Sequence, residues 1–283
     1  MSTVQKNKRT KNSLYNRDNV RLADVSAKII ILLVSLVWGL YFALKLNVPP
    51  VVDEVGTVAN TALLMGWDWS ETVWAMGGCY FKYGFSLLYY PFMLFIEDSY
   101  MLYKAMLALN MLFLSLIPVM TYDIMKKHIG CDRTESVMIA FTSAVFPSTL
   151  LYMTYAKADV ILIFLPFPIL LILLELGKLR TKGVEPLIAK RNKRRRICLS
   201  VLLAFFTIYA YMSHTRGVVI LLAVLVSVLF IRIICRIPTV EYISFLITSG
   251  VLLFVDKQVS QYFKNAIYGV YGTSYYSLES YDF

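Results

Sequence analysis

The sequence predicts an all-α integral membrane protein of about seven transmembrane helices, with a long first external loop carrying interfacial helices. Three observations lead there. Hydrophobic residues make up 58% of the chain and charged ones only 16%, with a mean hydropathy of +0.63, which is too apolar for a chain that keeps a polar surface in water. Apolar runs close to the roughly 20 residues that a bilayer requires recur along the sequence. The basic residues gather before residue 28 and at 126–133, 178–196 and 232–236, between alternate runs, where they act as orientation signals.

The net charge of +10 is therefore a membrane signal. It suits anionic membrane lipids, and no nucleic-acid motif accompanies it, so nucleic acid is not an expected partner. Residues 1–27 form a cytoplasmic basic N-terminal segment. No small-residue cleavage site follows Trp38 to Leu46, so the first apolar run reads as an anchor and not as a removable leader. The four cysteines, Cys79, Cys131, Cys198 and Cys235, have no metal-ligand or CxxC spacing.

The first span runs from Lys28 to Leu46, and the external loop covers 47–100. Further spans are expected at Tyr100–Met125, Thr134–Met153, Asp159–Leu176, Ile197–Met212, Gly217–Cys235 and Val240–Val255. These complete a transmembrane module over 28–255, followed by an external tyrosine-rich tail at 256–283. The topology turns on the apolar stretch Phe81–Ile96. If it crossed the membrane, the run Lys190–Arg196 would lie outside, against the positive-inside rule. An interfacial position for Phe81–Ile96, which its tyrosines, Lys82 and Pro91 suit, keeps the basic runs inside. The N-terminus is then cytoplasmic, and the polar loops face the non-cytoplasmic side.

The loop segment Asn47–Trp69 organises the functional reading. Pro49 and Pro50 set an extended entry. Val51, Val52, Val55, Val58, Ala59, Ala62 and Leu63 then recur at helical spacing, with Asp53 and Glu54 in the first turn. Both carboxylates have an ordinary explanation as helix-end charges, worth about 1 kcal/mol each. Their setting adds a second one. The same face of the membrane collects Lys82, Lys157 and Asp159 (in TYAKAD), and His214 and Arg216 (in SHTRG), while the span centres hold almost no ionisable group. A proton-coupled carrier more often places carboxylates at mid-membrane. A guanidinium at headgroup level pairs well with phosphate oxygens, and a nearby carboxylate activates a hydroxyl. The set suits a phosphorylated lipid and a polar acceptor.

On these residues the chain resembles the GT-C class of membrane glycosyltransferases, in particular the family 39 group of protein O-mannosyltransferases and aminoarabinose transferases. The resemblance rests on VVDE at 51–54, the interfacial KYGFSLLYYPFML at 82–94 and the second external acid, Asp159. It covers roughly 28–255. It implies an inverting transfer of sugar from a polyprenyl-phosphate donor to a lipid, glycan or protein acceptor on the extracytoplasmic face. Asp53 would be the general base and Glu54 would orient it or the acceptor. Lys157, Asp159, Lys82, His214 and Arg216 would bind substrate. No cofactor is required, although Asp53 and Asp159 are a pair that a divalent cation can bridge. Members of the family usually continue beyond the seventh span, so the chain is expected to be a truncated or minimal module. Two other readings stay open: a non-catalytic lipid-binding scaffold, and a flippase or small-solute transporter.

Overall fold

A computed structural model describes residues 3–45, 52–69, 82–179, 185–235 and 239–268. All the regular structure among them is helical. In chain order the helices are α1 (Thr3–Lys45), α2 (Val52–Leu64), α3 (Tyr83–Ser86), α4 (Tyr90–Phe95), α5 (Ser99–Ile124), α6 (Arg133–Ala144), α7 (Pro147–Tyr152), α8 (Asp159–Phe164), α9 (Pro166–Lys178), α10 (Pro186–Ser213), α11 (Gly217–Cys235) and α12 (Thr239–Tyr268). Six stretches, Leu22–Lys45, Ser99–Ile129, Asp159–Lys178, Pro186–Ser213, Gly217–Ile234 and Tyr242–Ala266, are long and apolar enough to cross a membrane. The chain is a multi-pass membrane protein.

The stretch expected to be a single span at Thr134–Met153 is two helices, α6 and α7. The cause is Pro147. Its ring disfavours helical geometry at the preceding residue, and Phe146 is here extended (φ −61°, ψ 131°). Having no N–H, Pro147 suits the first turn of the next helix. The pair still traverses the bundle. Arg133, opening α6, lies 3.2 Å from Asp24 at the basic end, whereas Ala156, just past α7, donates its N–H to Glu54 at the opposite end. With that pair the traverses among the described residues number seven, as the apolar runs predict.

Ion pairs tie the basic end together. Asp24 accepts from Arg133 and from the Tyr122 hydroxyl. Asp123 lies 3.0 Å from both Lys28 and Lys127, and Glu175 lies 2.6 Å from Arg195 and 3.5 Å from His128. Between Asp123 and Arg133 the helix widens into a π-turn, Met125–Ile129. It stops at Gly130, whose φ of +91° an L side chain rarely adopts. An Asp132–Glu135 capping box then starts α6. Because these pairs are partly exposed, each is worth at most about 1 kcal/mol, and they act mainly by fixing register.

Within the bundle, Leu107, Leu114, Ile117, Ile161, Leu165 and Leu203 are essentially inaccessible. Their outward counterparts, such as Leu33, Val37, Val226 and Phe254, are exposed on the faces that lipid covers. Lipid removes most of the hydrophobic gain from helix association, so close packing and internal hydrogen bonds carry the specificity.

The opposite end is closed by the loop elements. The described part of the stretch at 81–96, residues 82–96, forms two short helices, α3 and α4, because Pro91 restarts the helix within its first turn. Tyr83, Phe85, Ser86, Tyr89 and Met93 are buried against the bundle, while Leu87, Leu94 and Phe95 stay exposed on the other side, as a segment at the membrane boundary requires. Helix α2 is amphipathic as predicted, but its polar stripe is covered too. Glu54, Thr57, Asn60 and Thr61 are all buried. Thr61 satisfies its backbone and hydroxyl on Ser86, with Thr61 N to Ser86 Oγ at 3.1 Å and Thr61 Oγ1 to the Ser86 carbonyl at 2.6 Å. Finally, α12 runs on as helix to Tyr268, past the limit at Val255 that its apolar run suggests.

Candidate functional site

The end of the bundle opposite the basic face brings three sequence segments together: the first turn of α2, the loop 153–158 ahead of α8, and the corner 214–216 between α10 and α11. Glu54 makes the first junction. Its Oε1 accepts from the Tyr103 hydroxyl at 2.9 Å and from the backbone N–H of Ala156. A carboxylate only 2% exposed needs such donors. They bind the α2 turn to α5 and to the loop that leads into Asp159.

Asn110 holds that loop from the other side. Fully buried in the middle of α5, it donates Nδ2 to the Tyr155 carbonyl at 2.7 Å and accepts the Tyr89 hydroxyl on Oδ1 at 3.1 Å. Burial raises the Tyr89 phenol well above its ordinary pKa, so Tyr89 remains the donor in this contact. Adjacent backbone groups, Tyr155 C=O and Ala156 N–H, are thus clamped by side chains from α5 and α2. Glu54→Gln keeps an acceptor for Ala156, whereas Glu54→Ala leaves that N–H and the Tyr103 hydroxyl unpaired at a cost of about 1–3 kcal/mol. The expected result is a clear fall in the thermal unfolding midpoint for Glu54→Ala and a small one for Glu54→Gln, read in detergent by intrinsic fluorescence.

From this clamp the chain enters α8 at Asp159, an acid in the first helical turn, where it also complements the helix dipole. Its Oδ1 faces His214 Nε2 at 3.6 Å and Arg216 Nη1 at 3.7 Å. His214 Nδ1 accepts the N–H of Arg216 at 3.1 Å, so a neutral ring carries its proton on Nε2, toward the carboxylate. Arg216 is 77% exposed at its side chain. With one edge turned to Asp159, the rest of its planar donor set is open to an anion. Lys157, two residues before Asp159, has its ammonium 5.4 Å from the Tyr155 ring.

The corner depends on Gly217. A Cβ there would stand 2.3 Å from the Ala210 carbonyl oxygen, far inside contact distance. The Gly217 N–H closes the turn on the His214 carbonyl at 2.8 Å. Gly217→Ala is expected to push α11 away from α10, separate His214 and Arg216 from Asp159 and destabilise the fold by about 1–3 kcal/mol. A lowered unfolding midpoint checks the packing, and the distance between spin labels on α8 and α11 checks the displacement.

Lys82 does not join this cluster. Its ammonium lies 3.3 Å from Asp256 on α12 and 3.5 Å over the Tyr211 ring, and both charged side chains are buried. The residue expected to bind substrate is here engaged in an internal ion pair, which Ser260 extends by donating to Asp256 Oδ1 at 3.4 Å. The pair fixes the start of α3 against α10 and α12. Gly84 lies two residues on. There the Tyr209 hydroxyl donates to the Gly84 carbonyl, and a Cβ would stand 2.7 Å from the Met212 backbone.

Asp53 occupies the first turn of α2, beside Glu54. Its side chain lies outside what the structure describes. Among the described residues no three His, Cys, Asp or Glu side chains gather as a metal site. Sequence reasoning missed Asn110, Tyr103, Tyr89 and Asp256. Asn110 carried a signal as the lone amide within the apolar LALNMLFL. Asp256 did too, as a carboxylate in α12. The tyrosines carried none. No protein-family model, no curated protein and no solved structure matches the chain.

Proposed function

We propose that this membrane protein transfers a sugar from a polyprenyl-phosphate donor to a hydroxyl-bearing acceptor, with Asp53 as the general base, and that the end of the bundle opposite the basic face is the extracytoplasmic one. One observation carries the reading: Glu54, adjacent to Asp53, is hydrogen-bonded to Ala156, three residues before the Asp159 that faces His214 and Arg216. An acidic turn and a cationic corner are thereby joined through a single bonded loop.

Chemically, the acceptor oxygen attacks the anomeric carbon as Asp53 takes its proton, and the bond to the lipid phosphate breaks on the far side, inverting the centre. The leaving group is a phosphate, whose growing charge Arg216, Lys157 and the Nε2–H of His214 can stabilise, so no protonating acid is needed. Glu54, spoken for by Tyr103 and Ala156, holds the loop and is a positioning residue. Asp159 orients the Arg216 guanidinium. A divalent cation is not needed on this account, because the cations around Asp159 supply the positive charge.

The basic end would then be cytoplasmic, in keeping with the positive-inside rule. Orientation is read by protease protection of tags placed at residue 1 and within residues 180–184. The activity test is to reconstitute the purified chain in vesicles with polyprenyl-phosphate sugars and acceptors of each class, and to follow release of polyprenyl phosphate with gain of sugar on the acceptor. Binding of the lipid with no transfer to any acceptor would favour the scaffold reading. Movement of lipid or solute across the vesicle without bond breakage would favour the transporter.

A further inference from the structure

The basic end holds a cationic cleft that the proposed transfer reaction does not use. It lies between α9, α10, α11 and α12, walled by Leu173, Leu203, Val228 and Phe245, with Arg232 and Tyr242 as polar members. Arg232 sits in the last turn of α11. Its guanidinium carbon is 4.8 Å from the centre of the Tyr242 ring, yet its Nη1 is buried and has no hydrogen-bond partner. A ring face stabilises the charge, but it leaves an in-plane N–H without an acceptor. A buried charged donor in that state calls for an anionic oxygen.

A second guanidinium borders the same cleft. Arg196 is buried one turn below the cleft-lining Ser200, and its Nη2 donates to the carbonyl of Leu176, another lining residue, at 3.5 Å. Among the lining residues there is no carboxylate. The cleft thus carries the half-buried Arg232 among its lining with the buried Arg196 one helical turn from Ser200, and the helix α10 continues outward through the exposed cations Lys190, Arg191, Lys193 and Arg194. The enclosed space is only about 20 Å³, room for a single oxygen and not for a free phosphate ion. The remaining walls are apolar.

We infer that this cleft binds an anionic phospholipid of the leaflet at the basic end: one phosphate oxygen reaches Arg232 Nη1, and an acyl chain runs along the apolar wall formed by α9, α11 and α12. A lipid meets each constraint at once, because its phosphate enters one oxygen deep while its chain replaces bulk lipid along the helices. The site lies on the face opposite the proposed transfer site and does not depend on that reading.

The test is native mass spectrometry of the full chain in detergent, titrated with phosphatidylglycerol or with phosphatidylcholine of the same acyl chains, alongside unfolding midpoints. The expected result is retention of one phosphatidylglycerol in preference to phosphatidylcholine, weakened roughly tenfold or more in Arg232→Gln. Arg232→Lys should fall between, since it keeps the charge and loses the planar donors, and Arg191→Gln should bind as the wild type does. Inorganic phosphate should not compete. Equal retention of the two lipids, wild-type binding by Arg232→Gln, or displacement by inorganic phosphate would each overturn the proposal. The first outcome would mean that water satisfies Arg232, and the last that the site takes a free ion.

Discussion

Asp53→Asn is expected to lower sugar transfer by about 10² to 10⁴-fold, the usual contribution of a positioned general base, while leaving the fold and donor binding intact. Asparagine matches aspartate in size and serves nearly as well at a helix start, so the substitution removes the proton acceptor and little else. Glu54 cannot take over. Its Oε1 is occupied by Tyr103 and Ala156, and the residue is buried. The readout is turnover on a polyprenyl-phosphate sugar at saturating donor, with donor affinity measured separately. A mutant that turns over within twofold of the wild type would remove Asp53 from the chemistry.

The largest effect on stability is expected at Lys82 and Asp256. Their side chains are 7% and 6% exposed, and they meet inside the bundle. Truncating one partner leaves the other charge buried and unpaired, which typically costs about 3–5 kcal/mol. Lys82→Met and Asp256→Leu should each lower the thermal unfolding midpoint sharply. The double variant should recover most of the loss, because an apolar pair of similar volume replaces a buried ion pair at little net cost. Transfer activity should follow the same order, since Lys82 anchors the start of α3, which packs on α2 and α10. Single variants that melt like the wild type would mean that the pair is hydrated and contributes nothing.

The spans were legible because a bilayer imposes length and composition directly on the sequence. The seven traverses follow from apolar runs and from where lysine and arginine fall. Pro147 announced the break between α6 and α7, although the apolar run across it read as continuous. The first turn of α2 and the TYAKAD and SHTRG segments were recognisable as polar groups at helix ends. Their convergence was not written locally. Glu54 meets Ala156 across 102 positions and Lys82 meets Asp256 across 174, separations at which helical periodicity says nothing about partners. Lys82 is the clearest case. On sequence it was a cation beside other site residues, and only the tertiary structure supplies its counter-ion. Asn110 was the converse case, a polar residue in an apolar run whose cost of burial signals a partner, with nothing local to say that the partners would be Tyr89 and Tyr155.

The proposed site for a phosphorylated lipid is formed jointly by the turns at 53–54, 155–159 and 214–216. Its most direct test is a cryo-electron microscopy structure of the chain in nanodiscs with a polyprenyl-phosphate sugar bound. Phosphate density is expected in hydrogen-bond reach of Arg216, beside Asp159 and His214, with the Asp53 carboxylate facing the sugar. Phosphate density at any other place on the molecule, or an Asp53 side chain turned away from the loop at 155–159, would contradict it.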